Sequence, residues 1–204
     1  MAQFDQAYDK ANEALQVAEE IGNQMYVAEV KLFPFAFYYL HMGDLDQAEQ
    51  SATEGIQIAH KIGRSFEEAI GSYVLAEIYR MRGEYEDAIA FYQRAQQGGE
   101  MSGMPFFVAS VPAAIGSVYF EISDKLIDKT LELHTFALGQ MNNPMAAAGG
   151  ASAYADLGFC ALAIGNVDKA NELFQSGLSH PTMMGMLQRP RFFVGQALIA
   201  LKQN

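Results

Sequence analysis

The residues that most often carry chemistry in proteins are scattered along this chain. Its four histidines, His41, His60, His134 and His180, form no His-Glu-x-x-His motif, and there is no Cys-x-x-Cys spacing. The single cysteine, Cys160, has no basic neighbour in sequence that would activate it as a nucleophile. The sequence therefore predicts a buried structural thiol and no metal site.

Two glycine pairs could suggest a phosphate-binding loop. Gly98-Gly99 and Gly149-Gly150 lack both the lysine and the strand–loop–helix setting of such a loop, so we interpret them as turns or close helix contacts. Most carboxylates fall on the polar faces and first turns of predicted helices, and nothing selects a general acid/base pair among them. We therefore expect no enzymatic activity and no cofactor.

The charge balance limits the classes of partner. The chain has a net charge of −11, whereas phosphate binding needs clustered lysine and arginine. We therefore expect that neither nucleic acid nor an anionic membrane surface is a partner of this chain. No apolar run approaches the roughly 20 residues of a membrane span, and the N-terminus has no signal-peptide pattern. One cysteine fits a reducing compartment, so we expect a cytoplasmic protein.

One stretch of the sequence returns about every forty residues. Residues 35–48 recur as 75–88 and as 157–170, and a weaker copy begins at Ile115. Each copy has a small residue, then a turn residue seven positions later: Ala36 and Gly43, Ala76 and Gly83, Gly116 and Ser123, Gly158 and Gly165. Repetition at this period predicts a solenoid of stacked helix pairs.

This period divides the chain into four helix pairs between two half-repeats. The predicted half-repeats are 1–23 and 186–204, and the pairs are 24–63, 64–103, 104–143 and 144–185. The amphipathic helix over 3–21 matches a second helix, so the chain opens on a second helix without its first. The helix over 187–202 is correspondingly a first helix without its second.

Three positions depart from the regular pattern. Pro34 lies well inside a predicted helix and should kink it, and Pro112 should kink or delay the first helix of the third pair. Asp128 stands where the other copies carry alanine. The third pair is therefore expected to be the least regular.

These residues resemble the tetratricopeptide repeat over nearly the whole chain. The resemblance implies an all-α, right-handed superhelix of stacked antiparallel helix pairs. The usual period of the family is about 34 residues with a proline near the repeat end. The longer period here is similar to arrays in LuxR-type transcription activators, such as the maltose-regulon activator, and in multidomain nucleotide cyclases.

The resemblance also implies a concave groove lined by the first helices. The residues that it places there are Phe33, Phe37, His41, Tyr73, Glu77, Arg80, Phe120 and Phe159. Phe33 and Phe37 stand where repeats that grip the carboxylate tail of chaperones have a lysine and an asparagine. A groove for an apolar peptide, helix or small ligand is one interpretation, and packing of these rings between repeats is the other.

Three functions remain open at this point. The first is a protein–protein interaction or scaffolding module within a larger bacterial signalling or transcription regulator. The second is a sensor of a small-molecule inducer, which needs a closed pocket near the first pair. The third is self-association through the half-repeats, using Phe192, Phe193, Leu198 and Leu201 at one end and Phe4, Ala11 and Leu15 at the other.

Overall fold

The structure is a computed structural model that describes residues 2–150, 152–179 and 183–203. Within these ranges the secondary structure is helical, without strands. The chain divides into two compact units, unit 1 over Met1–Gly103 and unit 2 over Met104–Asn204. The division falls where the sequence predicts the boundary between the second and third pairs, and the single-array organisation stays a prediction.

Unit 1 consists of antiparallel helices joined by short turns. They are α1 (Ala2–Glu20), α2 (Gln24–Val30), a π-helical segment (Lys31–Ala36), α3 (Phe37–Met42), α4 (Leu45–Lys61), α5 (Ser65–Arg82) and α6 (Tyr85–Ser102). The first helix of the first pair is made of α2, the π-helical segment and α3 together. Its second helix is α4, and α5 with α6 forms the next pair.

Glycine ends the helices of unit 1 at regular intervals. Positive φ angles of 67° to 79° occur at Gly22, Gly43, Gly63, Gly83 and Gly103. Only glycine adopts this left-handed conformation without a steric cost, so each marks a helix end. Asp44 then starts α4, its side chain accepting a hydrogen bond from the Gln47 backbone N–H at 3.2 Å. The predicted turns at Gly43 and Gly83 are confirmed.

Pro34 alters the local helix type. The six residues around it form a π-helical segment, where the wider turn accommodates a proline that lacks an N–H and clashes with the preceding turn. The side chain of Ser51 in α4 donates a hydrogen bond to the Lys31 backbone carbonyl of this segment at 2.9 Å. The predicted irregularity is therefore present, and it is fixed to the neighbouring helix.

Small residues allow the helices of unit 1 to approach closely. Ala36, Ala76, Ala48 and Ala88, which the repeat pattern singles out, are all fully buried. Aliphatic and aromatic side chains from the first and second helices fill the space beside them, with Val74, Leu75 and Ile78 of α5 in one core cluster with Ala36 and Ala48.

Unit 2 has the same construction with more irregularity. Its elements are α7 (Phe106–Ile122), a 3₁₀ turn (Asp124–Leu126), α8 (Ile127–Gly139), α9 (Pro144–Gly150), α10 (Ser152–Ala163), α11 (Val167–Ser179) and α12 (Met183–Gln203). Pro112 is buried inside α7, which begins six residues before it, so of the two predicted effects the delay does not occur, and the kink stays a prediction. His180 lies outside the described residues.

The third pair departs from the repeat pattern because the turn between its two helices is longer. Ser123 has an extended backbone with φ of −171°, and the 3₁₀ turn follows before α8 begins. The inward position is therefore taken by Thr130, which is fully buried, whereas Asp128 is exposed. The hydroxyl of Thr130 donates to the Gly116 backbone carbonyl at 3.3 Å. The counterpart of the repeat alanine is thus two residues later than the sequence alignment placed it.

Glycines and one ring bring the helices of unit 2 together. A Cβ on Gly158 of α10 would lie 2.3 Å from Phe174 of α11, and a Cβ on Gly195 of α12 would lie 2.3 Å from the same ring. Phe174 is fully buried between these helices. Cys160 is also fully buried, and burial raises the pKa of its thiol to about 12, as suits a structural residue.

Candidate functional site

The first helices of unit 1 carry most of the predicted groove residues. Phe33 lies in the π-helical segment with 37 % of its surface exposed, and its ring centroid is 6.2 Å from that of Phe66 at the start of α5. This contact holds the ring in place while leaving over a third of it accessible. Phe33 is therefore a fixed aromatic side chain on the protein surface.

Phe37 and His41 continue the same helix by one turn. Phe37 is half-buried against the core cluster of Ala36 and Leu40, so part of its ring area already stabilises the fold. The exposed His41 lies above it, with ring centroids 6.4 Å apart and Nδ1 2.7 Å from the Phe37 backbone oxygen. Both interpretations of Phe37 hold in part, since the ring packs and is also partly exposed.

Glu77 and Arg80 supply a fixed polar pair on α5. The Arg80 guanidinium donates to Glu77 Oε2 at 2.7 Å, and the Tyr92 hydroxyl donates to Glu77 Oε1 at 2.5 Å. Both charged side chains are about three-quarters or more buried. Burial, and then the Glu77 charge, raise the pKa of Tyr92, which therefore stays a neutral donor.

Tyr73 is the member of the predicted set that contributes little to the surface. Only 7 % of its area is exposed, and its ring meets that of Tyr92 edge-on with centroids 5.4 Å apart. Burial raises the pKa of its hydroxyl, and the Glu77 carboxylate adds to the rise. Its ring therefore belongs to the core of unit 1 rather than to its surface.

Phe120 and Phe159 belong to unit 2, whereas the other six predicted groove residues belong to unit 1. Both are half-buried. Phe159 meets Phe174 edge-on at 5.2 Å, and the Arg191 guanidinium lies 5.7 Å from the Phe159 centroid. Phe33, Phe37, His41, Glu77 and Arg80 lie on the first helices of the two pairs of unit 1, and we call these five the aromatic face.

Sequence reasoning missed a buried ionic cluster in unit 2. Asp156 of α10 is fully buried and accepts hydrogen bonds from Ser117 of α7 and Arg191 of α12. His134 of α8, also fully buried, places Nε2 3.3 Å from Asp156 Oδ2. Burial alone would raise the pKa of Asp156, but the contact with His134, the Arg191 charge and the Ser117 hydroxyl together lower it to about 2.

This cluster has a structural rather than a catalytic arrangement. The hydroxyl of Ser117 donates to a carboxylate whose pKa is lowered to about 2, and so weak a base does not take the proton of a serine hydroxyl. The Asp156 carboxylate accepts from two helices and lies beside His134 of a third, so it ties four helices together. A sequence signal existed in the lone acidic residue of the otherwise apolar segment 152–163, but its partners lie far away in sequence.

Two general findings bear on chemistry. Among the described residues, no three or more histidine, cysteine, aspartate or glutamate side chains come close enough together to hold a metal ion. None of the helices in the described ranges has the length and apolar character needed to cross a membrane.

Comparison with known proteins gives a family match to part of the chain and a structure of similar fold. Residues 26–98, which lie in unit 1, match the model of the tetratricopeptide repeat family. The crystal structure of BtubC (BKLC) from P. vanneervenii resembles this chain with a TM-score of 0.68 and 16 % identity, covering 96 % of this chain and 82 % of that one. The predicted all-α helical-repeat solenoid is confirmed. In the comparison with curated proteins, none matches this chain.

Proposed function

We propose that this chain is a protein-interaction or scaffolding module that binds a polypeptide partner through the aromatic face of unit 1. Tetratricopeptide repeats generally mediate protein–protein contacts, because stacked helices present an extended, preformed surface. The partner segment is expected to carry apolar side chains, since the exposed part of the face is largely aromatic.

The observation that carries this proposal is that the face combines accessible ring surface at Phe33 with side chains whose positions are supported by contacts within unit 1. Phe33 keeps 37 % of its surface accessible while its ring is held against Phe66. Arg80 and Glu77 are held by their ion pair and by Tyr92. Side chains that are ordered before binding lose little rotational freedom on binding, so more of the contact energy appears as affinity.

The cellular setting is part of the same proposal. We place the module in the cytoplasm, supported by the single, buried cysteine. The repeat period of about forty residues supports membership in a larger bacterial signalling or transcription regulator.

An inducer sensor is the less favoured function because the cavity at the first pair is open. It has a volume of about 500 Å³ and lies between α1 and α2. Val17, Ile21 and Tyr26 line it and are each about half exposed or more. A small molecule bound there would remain in contact with water, whereas ligand sites usually bury most of the ligand.

The test is partner capture from the cells that express the protein, with three forms of the full chain as bait. Phe33→Ala removes the exposed ring of the aromatic face. Phe136→Ala removes a ring of similar exposure, 50 %, from α8 in unit 2 and is the matched control. Far-UV circular dichroism verifies that all three baits are folded.

A polypeptide retained by the wild type and by Phe136→Ala, but lost with Phe33→Ala, supports the proposal. Loss of a central aromatic contact is expected to weaken binding by about 2 kcal/mol, roughly thirtyfold in Kd. If the purified partner binds Phe33→Ala as tightly as it binds the wild type, the aromatic face is not the site.

The two terminal half-repeats each carry exposed apolar side chains that form further candidate binding surfaces. Their apolar side chains, among them Val17 and Ile21 in unit 1 and Phe193, Leu198 and Leu201 in unit 2, are between 41 % and 73 % exposed. We propose that these surfaces take part in self-association, since exposed apolar patches commonly mark interaction sites. Ala11 and Phe192, which the sequence also suggested for this role, are buried, so that part of the prediction is wrong, and Leu15 is partly buried. The side chain of Phe4 lies outside the described residues.

A further inference from the structure

The first helices of three of the four pairs carry a tyrosine three residues after the small residue. These tyrosines are Tyr39, Tyr79 and Tyr119. In the fourth pair Ala161 holds this place, four residues before Gly165, just as Tyr79 stands four residues before Gly83. Gly165 and Gly83 have similar positive φ angles of 81° and 79°, so the two places correspond in structure as well as in sequence.

In unit 1 this tyrosine fills the space between two second helices. The ring of Tyr79 lies nearly parallel to that of Phe91 in α6, with centroids 5.2 Å apart and planes at 15°. Its hydroxyl donates to Glu49 Oε1 of α4 at 3.1 Å. Tyr39 reaches the preceding second helix in the same way, with its hydroxyl 2.8 Å from the Tyr8 hydroxyl of α1. A flat ring is therefore the group that unit 1 uses at this place.

The corresponding residues of unit 2 are smaller or aliphatic. At the offset that relates Gly165 to Gly83, the replacements are Ala161 for Tyr79, Leu173 for Phe91, Ile164 for Arg82 and Leu131 for Glu49. The same offset relates Thr130 to Ala48, which are both fully buried, so it holds for α8 as well. In unit 1 Arg82 also donates to Glu49, at 2.6 Å. The ring, its stacking partner and this ion pair thus all have aliphatic replacements.

Unit 2 has a cavity at the place that the ring fills in unit 1. The cavity has a volume of about 360 Å³ and lies between α8, α10 and α11. Leu157, Ala161 and Leu173 form its floor, since they are only 6 % to 8 % exposed. Its rim includes three exposed polar residues: Thr135, Asn166 and Lys169. A dry apolar cavity of about 150 Å³ is enough to bind benzene, so this cavity has room for one ring.

The lining selects an apolar ring without a hydroxyl group. Leu131 stands where Glu49 accepts the tyrosine hydroxyl in unit 1, so a phenol would lose hydrogen bonds to water without gaining a carboxylate partner. Lys169 is the charged residue of the lining, and its ammonium group is paired with Glu172 at 2.8 Å. Because this pair already balances the charge at the rim, the cavity favours an uncharged group. A phenyl ring meets both conditions.

The open rim favours a side chain over a free molecule. Ile164 lines the cavity and is 65 % exposed, so a free ring would keep one side in water, whereas sites for small ligands usually bury most of the ligand. A phenylalanine side chain enters with its backbone outside, where peptide groups can hydrogen-bond to Thr135 and Asn166. A pocket for one anchor ring inside a polar rim is the usual arrangement at the centre of a protein interface.

We propose that the cavity at Ala161 binds one phenylalanine side chain of a polypeptide partner. The ring of the partner takes the place that Tyr79 fills from within unit 1. This binding site belongs to unit 2 and shares no residue with the aromatic face. The inference therefore goes beyond the proposed function, and either site can fail its test while the other stands.

The test titrates the full chain, labelled with ¹³C in its leucine and isoleucine methyl groups, with N-acetyl-phenylalanine amide. The methyl signals of Leu131, Leu173 and Ile164 report on the cavity, and those of Leu32, which is buried in unit 1, are the reference. The three cavity residues should shift and saturate with a Kd of about 1 mM, as a single anchor of this size allows, while Leu32 stays unchanged. Toluene, the same ring without a backbone, should bind no more tightly than the amide.

Two tyrosine substitutions test whether the ring binds at the place of Ala161. Ala161→Tyr supplies the ring from within the chain, so N-acetyl-phenylalanine amide should bind at least tenfold more weakly. The filled cavity should also raise Tm by a few degrees. Ala163→Tyr adds the same side chain at an exposed position of the same helix and should bind the amide like the wild type. Far-UV circular dichroism verifies that both variants are folded.

Leu131→Glu tests the selectivity of the cavity. The wild type should bind the phenylalanine amide at least threefold more tightly than N-acetyl-tyrosine amide. In Leu131→Glu a carboxylate stands where Glu49 does in unit 1, so the tyrosine amide should become the tighter ligand by a similar factor. A gain in affinity cannot arise from unfolding, so this result decides the geometry even if Ala161→Tyr does not fold.

The proposal is overturned if the cavity signals stay unchanged at millimolar concentrations of the phenylalanine amide. Equal binding by the wild type and a folded Ala161→Tyr places the ring elsewhere, and an unchanged preference in Leu131→Glu also contradicts the geometry. If toluene binds more tightly than the amide, the cavity is a site for a free small molecule and not for a partner side chain. None of these results bears on the aromatic face, which the Phe33→Ala test decides separately.

Discussion

Asp156→Asn should destabilise the protein in a pH-dependent way. The fully buried carboxylate accepts hydrogen bonds from Ser117 and Arg191 and lies 3.3 Å from His134. Its pKa is lowered from 3.8 to about 2 by these partners despite burial. A shift of this size corresponds to about 2 kcal/mol of stability at neutral pH. Removing one member of a buried pair costs about 3–5 kcal/mol.

The expected loss at pH 7 lies between the linkage value and the lower limit of that range, at about 2–3 kcal/mol. The side chain of Arg191 is 37 % exposed, so water can partly replace the lost carboxylate, whereas His134 has no exposure to solvent. Because the folded-state pKa is lowered, the contribution of Asp156 is complete above about pH 4 and is lost as the pH falls towards 2. The difference between the variant and the wild type should shrink over the same interval.

Urea unfolding followed by far-UV circular dichroism at several pH values measures this difference. Asp128→Asn is the control, since Asp128 is exposed on α8 and its substitution should leave the unfolding free energy within about 0.5 kcal/mol of wild type. The reasoning is refuted if Asp156→Asn is as stable as the wild type at pH 7. It is also refuted if the variant shows the same deficit at pH 2 as at pH 7.

Three further predictions concern the fold. Gly43→Ala should cost about 1–2 kcal/mol in a thermal or urea melt because φ is +77° there, while Gly139→Ala, inside α8 with open space around its Cα, should be neutral or stabilising. Tyr92→Phe removes the hydrogen bond to the Glu77 carboxylate and should cost about 1.5–3 kcal/mol in the same assay. The Cys160 thiol should react with an alkylating reagent only when urea unfolds the protein, because it is buried and burial raises its pKa; rapid labelling of the native chain would contradict this.

The repeat could be predicted because its signal is local. Gly43, Gly83 and Gly165 each end a helix with a positive φ, and the sequence places them seven residues after a small residue that is buried. Such turns depend on the conformational preference of one residue, so they can be predicted from the sequence without knowledge of the fold. The same holds for Pro34, whose effect on its own helix follows from the missing N–H.

The third pair and the ionic cluster could not be predicted in the same way. A 3₁₀ turn before α8 moved the inward position from Asp128 to Thr130, and no residue type in that turn requires it. The partners of Asp156 come from other helices, at sequence separations of 22 to 39 residues. The burial of Tyr73 could not be predicted from the sequence either, because it depends on which neighbouring rings cover this side chain.

The π-helical segment explains how the first pair keeps the same repeat register as the second pair, although its first helix contains one more residue. From Gly22 to Gly43 there are 21 residues, whereas from Gly63 to Gly83 there are 20. A π turn holds one residue more than an α turn, so Lys31–Ala36 absorbs the difference and both ends of the helix remain in phase. The segment therefore accommodates one additional residue without a change in the register of the repeat. By the same reasoning, a one-residue deletion within it should restore a regular helix and leave the flanking contacts unchanged.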